Sequence, residues 1–359
     1  MESSIPAAPG SPGSPVTLDA IDRALIHALE IDGRAPFARI AGVIGVSEQT
    51  VARRYRRLRG TGVARVVGLA NPQRLGLTTW VVRIRSTPDA AFAIAEALAR
   101  RRDTSWVELT SGGTEISCVA RLGTNADADN LLRHTLPRTP KVVDITAQCV
   151  LHIAHGGPMS WREKAAGLTP SQVAELDPGY GPWNHDLDTG PSGVTPTEAD
   201  TRLFEQLARD GRSGYAELAS ATGQSDSWVR RRMDELRRER LLFFELDADP
   251  TALGHRTTAA LRMSVPPTHL ADVLRQLSLH PEVVFAAATT GATNVIAVAC
   301  FRDEAELYGY LTTRIAALTQ VTSVETTTVF RLLKREGAIL TTPRPAGTRG
   351  SGSRANGRA

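Results

Sequence analysis

The sequence predicts an α+β protein made of two tandem copies of one unit, each a winged helix-turn-helix followed by a ferredoxin-like βαββαβ sandwich. Three observations carry this. Residues 19–76 align without a gap on residues 197–254, at a constant offset of 178 and with about a third of positions identical. Each copy opens on short segments whose apolar residues recur at helical spacing. After each, strand-like and helical stretches follow in the order β-α-β-β-α-β, the signature of a split βαβ sandwich.

In the first copy, Leu18, Ile21, Leu25 and Leu29 fall on one face of a helix over 19–30. A second helix starts at Pro36 and presents Phe37, Ile40, Ala41 and Ile44. Gly45 supplies the turn, and Ser47 is an N-cap for a third helix reaching Arg59. Residues 63–69 read as a short strand pair, a wing. The sandwich then needs strands over 79–85, 105–111, 115–122 and 142–153, with helices after Thr87-Pro88 and over 125–135. The second copy returns strands over 257–264, 283–290, 294–301 and 321–333, with helices over 268–279 and 304–318. The resulting division is head one over 17–70, sandwich one over 77–154, a Gly/Pro/Asp-rich linker over 155–195, head two over 196–248 and sandwich two over 255–336. The linker carries one short helical candidate, 169–176. Residues 1–16 and 341–359 are low in complexity and expected to be disordered.

Composition narrows the function classes. The 359 residues carry a formal net charge of +4. Residues 341–359 contain Arg344, Arg349, Arg354 and Arg358 and no acid, so the rest of the chain is formally neutral. Basicity of the whole is therefore no argument for a nucleic-acid partner; local concentration has to supply it. No apolar run approaches the ~18 residues of a membrane helix, and the N-terminal stretch lacks the regions of a signal peptide. The expected location is the cytoplasm, with no membrane partner. Cys118, Cys149 and Cys300 form no C-x-x-C pair and lie in strand-like stretches, which favours buried thiols. No nucleophile–base motif, phosphate loop or zinc spacing is present, so no catalytic residue, metal or cofactor is expected.

The concentration of charge lies on the third helix. Val51, Tyr55 and Leu58 face inward, and five arginines occupy the seven residues from Arg53 to Arg59. A helix fits the major groove, where Arg bonds guanine bidentately and Gln bonds adenine. Ser47, Gln49, Thr50 and Arg53 are placed for base edges. Arg54, Arg56 and Arg57 are placed to clamp phosphates. With no acid between Arg53 and Arg65, the like charge is expected to be uncompensated without an anionic partner. In copy two the corresponding readers are Ser225, Ser227, Trp228, Arg231 and Arg232. Asp234 and Glu235 replace Arg56 and Arg57, lowering the charge at the matching seven positions from +5 to +1. The second head is expected to grip more weakly, giving an asymmetric operator anchored by the first.

These residues resemble the Lrp/AsnC (leucine-responsive, feast/famine) regulators of bacteria. The resemblance rests on Asp22, Asp32-Gly33-Arg34, the Ser47-x-x-x-Val51-x-Arg53-Arg54-x-x-x-Leu58 helix and the Asn71-Pro72-x-x-Leu75-Gly76 hinge. Copy two repeats it through Asp200, Asp210-Gly211-Arg212, Ser225, Val229, Arg231, Arg232, Leu236, Pro250 and Leu253-Gly254. It spans about 320 residues, twice through the family architecture. It implies RAM-type sandwiches that dimerise through their sheets, here within one chain, with homo-oligomers built on that pair. It also implies double-stranded DNA as partner and an amino-acid-type effector held between sandwiches. The matching effector loops are Gly112-Gly113-Thr114-Glu115 and Gly291-Ala292-Thr293-Asn294, where Glu115 and Asn294 stand in place of the usual Asp. The alternative is a siroheme decarboxylase-like enzyme of the same fold, for which His134, His152, His155 and His255 are candidate tetrapyrrole contacts.

Overall fold

The computed structural model describes residues 17–123, 129–156, 167–179, 192–335 and 338–339. The two terminal stretches expected to be disordered, 1–16 and 341–359, lie outside the described residues, as does much of the linker.

Head one consists of α1 (Ala20–Ile31), α2 (Phe37–Ile44) and α3 (Glu48–Gly60), followed by β1 (Ala64–Ala70). Asp19 and Asp22 close a capping box on α1, satisfying backbone N–H groups that the first turn leaves open. Ser47 caps α3 by accepting from Thr50 N at 3.2 Å. Head two repeats the plan with α7 (Glu198–Arg209), α8 (Tyr215–Thr222), α9 (Asp226–Arg238) and β6 (Leu242–Ala248). Its capping box is Thr197 with Asp200, and Ser225 caps α9.

The expected wing is corrected. β1 is not half of a hairpin; it pairs antiparallel with β6 of the other copy, Ala64 opposite Ala248 through Ala70 opposite Leu242. A lone strand and a hairpin strand share the same alternation, so only the partner separates them. This two-stranded sheet joins the heads, and one hydrophobic core containing Leu25, Leu58, Leu203 and Leu236 runs through both.

The repeated Asp-Gly-Arg segments form the crossing. Arg34 Nη1 donates to Gly211 O at 2.7 Å, and Arg212 Nη1 donates to Gly33 O at 2.6 Å. Each guanidinium lies over aromatic rings, Arg34 at 5.1 Å from Tyr215 and Arg212 at 4.1 Å from Phe37. Arg59 pairs with Asp210 at 2.7 Å, and its counterpart Arg237 with Asp32 at 3.5 Å. The glycines between are fixed by close approach: a Cβ on Gly33 would sit 2.8 Å from Val66 Cγ1, and one on Gly211 2.8 Å from the Val67 carbonyl carbon.

The linker helix α6 (Pro170–Leu176) docks on head one. Leu176 is fully buried, and Gln172 Nε2 donates to Val43 O at 2.7 Å. Gln172 also closes the α6 capping box with Thr169. Gln172→Ala should therefore cost about 1 kcal/mol of head stability in urea unfolding.

The sandwiches follow the βαββαβ plan. The first holds β2 (Thr78–Ser86), α4 (Pro88–Ala99), β3 (Thr104–Thr110), β4 (Glu115–Leu122), a wide-turn helix α5 (Asp129–Thr135) and β5 (Val142–His155). The second holds β7 (Thr257–Ser264), α10 (Leu270–Ser278), β8 (Val283–Thr289), β9 (Val295–Phe301), α11 (Glu304–Tyr310) and β10 (Ser323–Arg335). The fourth strands are long enough to serve two sheets. β5 pairs with β2 and then β8; β10 pairs with β7 and then β3. The two four-stranded sheets thereby close on each other, which removes their open edges. Ladder registers relate the sandwiches at an offset of 179, with Val329 opposite Thr110 where Val150 is opposite Thr289.

Candidate DNA-binding heads and sandwich seam

On α3, Gln49, Arg53 and Arg56 are exposed, and Thr50 is half-buried. Arg56 Nε donates back to Ala52 O at 3.3 Å. The other arginines are committed elsewhere. Arg54 donates to Asp19 at 2.7 Å and to Asp22 at 2.9 Å, and Arg57 to Asp22 at 2.5 Å. The backbone N–H of Asp22 and then the Arg54 guanidinium hold the Asp19 carboxyl below its ordinary range. The expectation of uncompensated charge on α3 is thus corrected. Its acids come from α1, 32 and 35 residues away, and from Asp210 of the other copy, not from its own neighbours. Arg54, only 18% exposed, fastens α3 to α1, and the net outward charge rests on Arg53 and Arg56, with Arg57 shared.

Head two uses the same brace. Arg232 Nε and Nη2 grip Asp200 at 2.9 and 2.8 Å, and Nη1 reaches Glu235 at 2.8 Å. Bonding to Asp200 raises the Arg232 pKa above its ordinary value. Burial alone would raise the Asp200 pKa, but the bonds from Arg232 and Thr197 outweigh it and hold the carboxyl ionised. Ser225 is the helix cap, Ser227 and Arg231 are exposed, and Trp228 is half-buried against the shared core. Arg230, which the sequence did not single out, lies 3.6 Å over the Tyr215 ring. Asp22, Asp200, Asp32 and Asp210 were missed as functional supports. Their signal was retention in both copies while positions 56 and 57 change sign to Asp234 and Glu235.

The two loops that the resemblance matches to an effector loop lie where each sandwich meets the other's fourth strand. Gly112 and Gly113 adopt φ of +68° and +90°, and a Cβ on Gly113 would sit 3.5 Å from the Phe330 ring of β10. Gly291 (φ +106°) faces Gln148 of β5, whose Nε2 donates to Thr290 O at 2.8 Å and Thr293 O at 2.6 Å. The Glu115 carboxylate, in place of the usual Asp, is already engaged: it accepts from Arg83 Nε at 2.8 Å and from Ser111 Oγ at 3.2 Å. Asn294 is engaged as well, accepting from Val265 N at 2.9 Å and donating to Val265 O at 2.8 Å.

Between the sheets, one half of the seam is apolar and the other charged. Val81, Val150, Ala287 and Ile296 form a buried cluster. Across the pseudo-dyad, Glu108 stands where Ala287 does and Ser117 where Ile296 does. Here Arg83 bridges Glu115 and Glu325, each at 2.7 Å. Arg262 is 1% exposed and donates to Thr327 Oγ1 at 3.1 Å. Burial pushes the Glu108 carboxyl up to about 7, against the opposing pull of Arg262 and the Ser117 hydroxyl.

Two helix-turn-helix heads on a shared core, carried by paired α/β sandwiches, define a class of DNA-binding regulator fold. Residues 18–59 match the AsnC-type helix-turn-helix domain, and residues 258–339 match the Lrp/AsnC ligand-binding domain. Both matches are to domains of the Lrp/AsnC family, and the chain carries that plan of head and sandwich twice in tandem. It is 28% identical over 130 residues to an uncharacterised HTH-type transcriptional regulator of Pyrococcus abyssi, a match covering 36% of this chain and 82% of that one. The HTH-type transcriptional regulator FL11 of the same organism is 29% identical over 119 residues, covering 33% and 79%. Among solved structures, the siroheme decarboxylase NirDL aligns with a TM-score of 0.60 at 13% identity, over 88% of this chain and 93% of that chain. That likeness is one of fold.

Among the described residues, no helix is long and apolar enough to cross a membrane.

Proposed function

We propose that the chain is a sequence-specific transcriptional regulator whose two heads bind one asymmetric site on double-stranded DNA and whose sandwiches receive an amino-acid-type effector. The observation that supports this most is the first recognition helix. Ser47 fixes its start, Asp19 and Asp22 anchor it through Arg54 and Arg57, and Gln49, Arg53 and Arg56 stay exposed on the outer surface. A braced helix with free Arg and Gln at its N-terminal half suits base-edge contact in the major groove. Arg54 and Arg232 then act as positioning residues, not phosphate clamps. The relatives named as transcriptional regulators agree with a non-enzymatic role. The pseudo-dimer within one chain is the unit from which homo-oligomers would be built, and the cytoplasm is the compartment where such a regulator meets DNA.

Binding to fragments of the upstream region, read by mobility shift and fluorescence anisotropy, tests the proposal. Arg53→Ala should cost roughly 1–3 kcal/mol on the best site and relax preference at one base pair. Arg56→Ala should weaken all sequences alike and reduce the slope of log K against log salt by about one. If Arg53→Glu/Arg56→Glu left affinity unchanged, head one would not be the reader. Stabilisation of the sandwiches by single amino acids in a thermal shift screen tests the effector.

The fold likeness to NirDL favours a second reading, a tetrapyrrole enzyme. His152 and His155 lie half-buried on β5 opposite Ala288 and Ala286, His134 is exposed on α5, and His255 is half-buried after the hinge. A stoichiometric spectral shift on mixing with siroheme would select that reading, and its absence would reject it.

A further inference from the structure

The cross-strand pairs at the two ends of the head sheet differ in kind. Arg65 stands opposite Asp247, and the positions related to them by the repeat, Phe243 and Leu69, stand opposite each other. One end is thus an ion pair and the other an apolar contact. At the charged end a third residue arrives from outside the heads. Arg335, the last residue of β10, forms an ion pair with Asp247 and donates from Nη1 to Ala248 O at 3.1 Å. Asp247 meanwhile accepts from Arg65 Nε at 2.8 Å. Arg335 and Asp247 are 8% and 4% exposed. At the offset of 179, the counterpart of Arg335 in sandwich one is Gly156, which has no side chain to offer.

We propose that Arg335 is a latch that fixes the orientation of the head pair to sandwich two through a side chain that the matching position of sandwich one, Gly156, does not carry. A buried guanidinium held by a carboxylate and a carbonyl has defined direction, unlike an apolar contact that can slide. The strand that ends in the latch is also the strand that senses the seam. β10 carries Glu325, paired with Arg83 of the opposite sandwich, and Phe330, against the Gly113 turn. A shift of β10 along the seam therefore reaches both heads through Asp247 and Arg65, whatever the heads bind. The heads move as one body because they share a core.

The test reads orientation directly, without DNA. Spin labels are placed at Gln224→Cys on head two and Leu279→Cys on sandwich two, both exposed, in a Cys149→Ser background of the full chain. The parent should give one narrow distance distribution. Arg335→Met should broaden and shift it. Because Arg335→Met leaves the buried Asp247 with Arg65 as its remaining cationic partner and weakens the sheet end, a second variant copies the opposite end in full: Arg65→Phe/Asp247→Leu/Arg335→Gly. This variant should keep its strand content by circular dichroism and still show the broadened distribution. An unchanged narrow distribution in the triple variant would overturn the latch. Operator affinity, measured separately, reports on the DNA reading alone.

Discussion

Asp200→Ala should destabilise the heads by about 3–5 kcal/mol in urea unfolding at pH 7, the largest effect expected of any single side chain here. The carboxylate is fully buried and accepts four hydrogen bonds: two from Arg232, at 2.9 and 2.8 Å, and two from Thr197, at 2.7 and 2.8 Å. Truncation leaves Arg232, 14% exposed, with Glu235 as its remaining acidic partner, and it also opens the α7 capping box. The folded pKa of Asp200 is lowered, so its contribution is present above the unfolded value near 3.9 and is lost as pH falls below it. The gap between parent and variant should therefore shrink in acid. Because both heads share one core, they should unfold together in the variant. Arg57→Ala is the contrast: its guanidinium is 42% exposed, and its loss should cost no more than about 1 kcal/mol. A loss below 1 kcal/mol for Asp200→Ala would mean that α7 and α9 are held by packing alone.

The same brace explains what sequence could and could not reveal about the readers. Helix order, the Gly45 and Gly223 turns and the Ser47 and Ser225 caps depend on residues within four positions of each other, so local pattern exposes them. The state of the arginines depends on partners at 32 to 35 positions, or in the other copy. Counting charge along α3 therefore overstated what faces outward. The sandwiches divide in the same way. Their βαββαβ order was legible from periodicity, but the hand-over of β5 to β8 and of β10 to β3 was not. Strand length hinted at it: the strand-like stretches 142–153 and 321–333, 12 and 13 residues long, exceed what one four-stranded sheet needs. In the two sandwich loops, Gly112, Gly113 and Gly291 take the positive φ that the turns there require. Identity alone could not show that Glu115 already holds Arg83 or that Gln148 fills the second loop.

The charged half of the seam should make stability fall with rising pH, and Glu108→Gln should remove that dependence. Burial on the inner face lifts the Glu108 carboxyl from 4.5 to about 7. A group whose folded pKa is raised favours folding fully below its unfolded pKa, and that benefit disappears as pH rises through the folded value. The window is therefore about pH 4.5 to 7, and the parent should lose about 2–3 kcal/mol across it. The groups facing Glu108 set the sign. Ser117 on β4 and Arg262 on β7 both favour the ionised form, yet neither overcomes desolvation. Arg262 is a weak counter-charge because burial and the neighbouring Arg83 both disfavour its charged state. Arg83 itself is already held by Glu115 and Glu325. Glutamine keeps the shape and a bonding partner for Ser117 without a charge to desolvate. Urea unfolding at pH 5 and pH 8 should find the variant close to the parent at the lower pH and about 2 kcal/mol more stable at the higher. Equal pH dependence in both proteins would show that Glu108 reaches water and that the seam is wetter than its apolar half suggests.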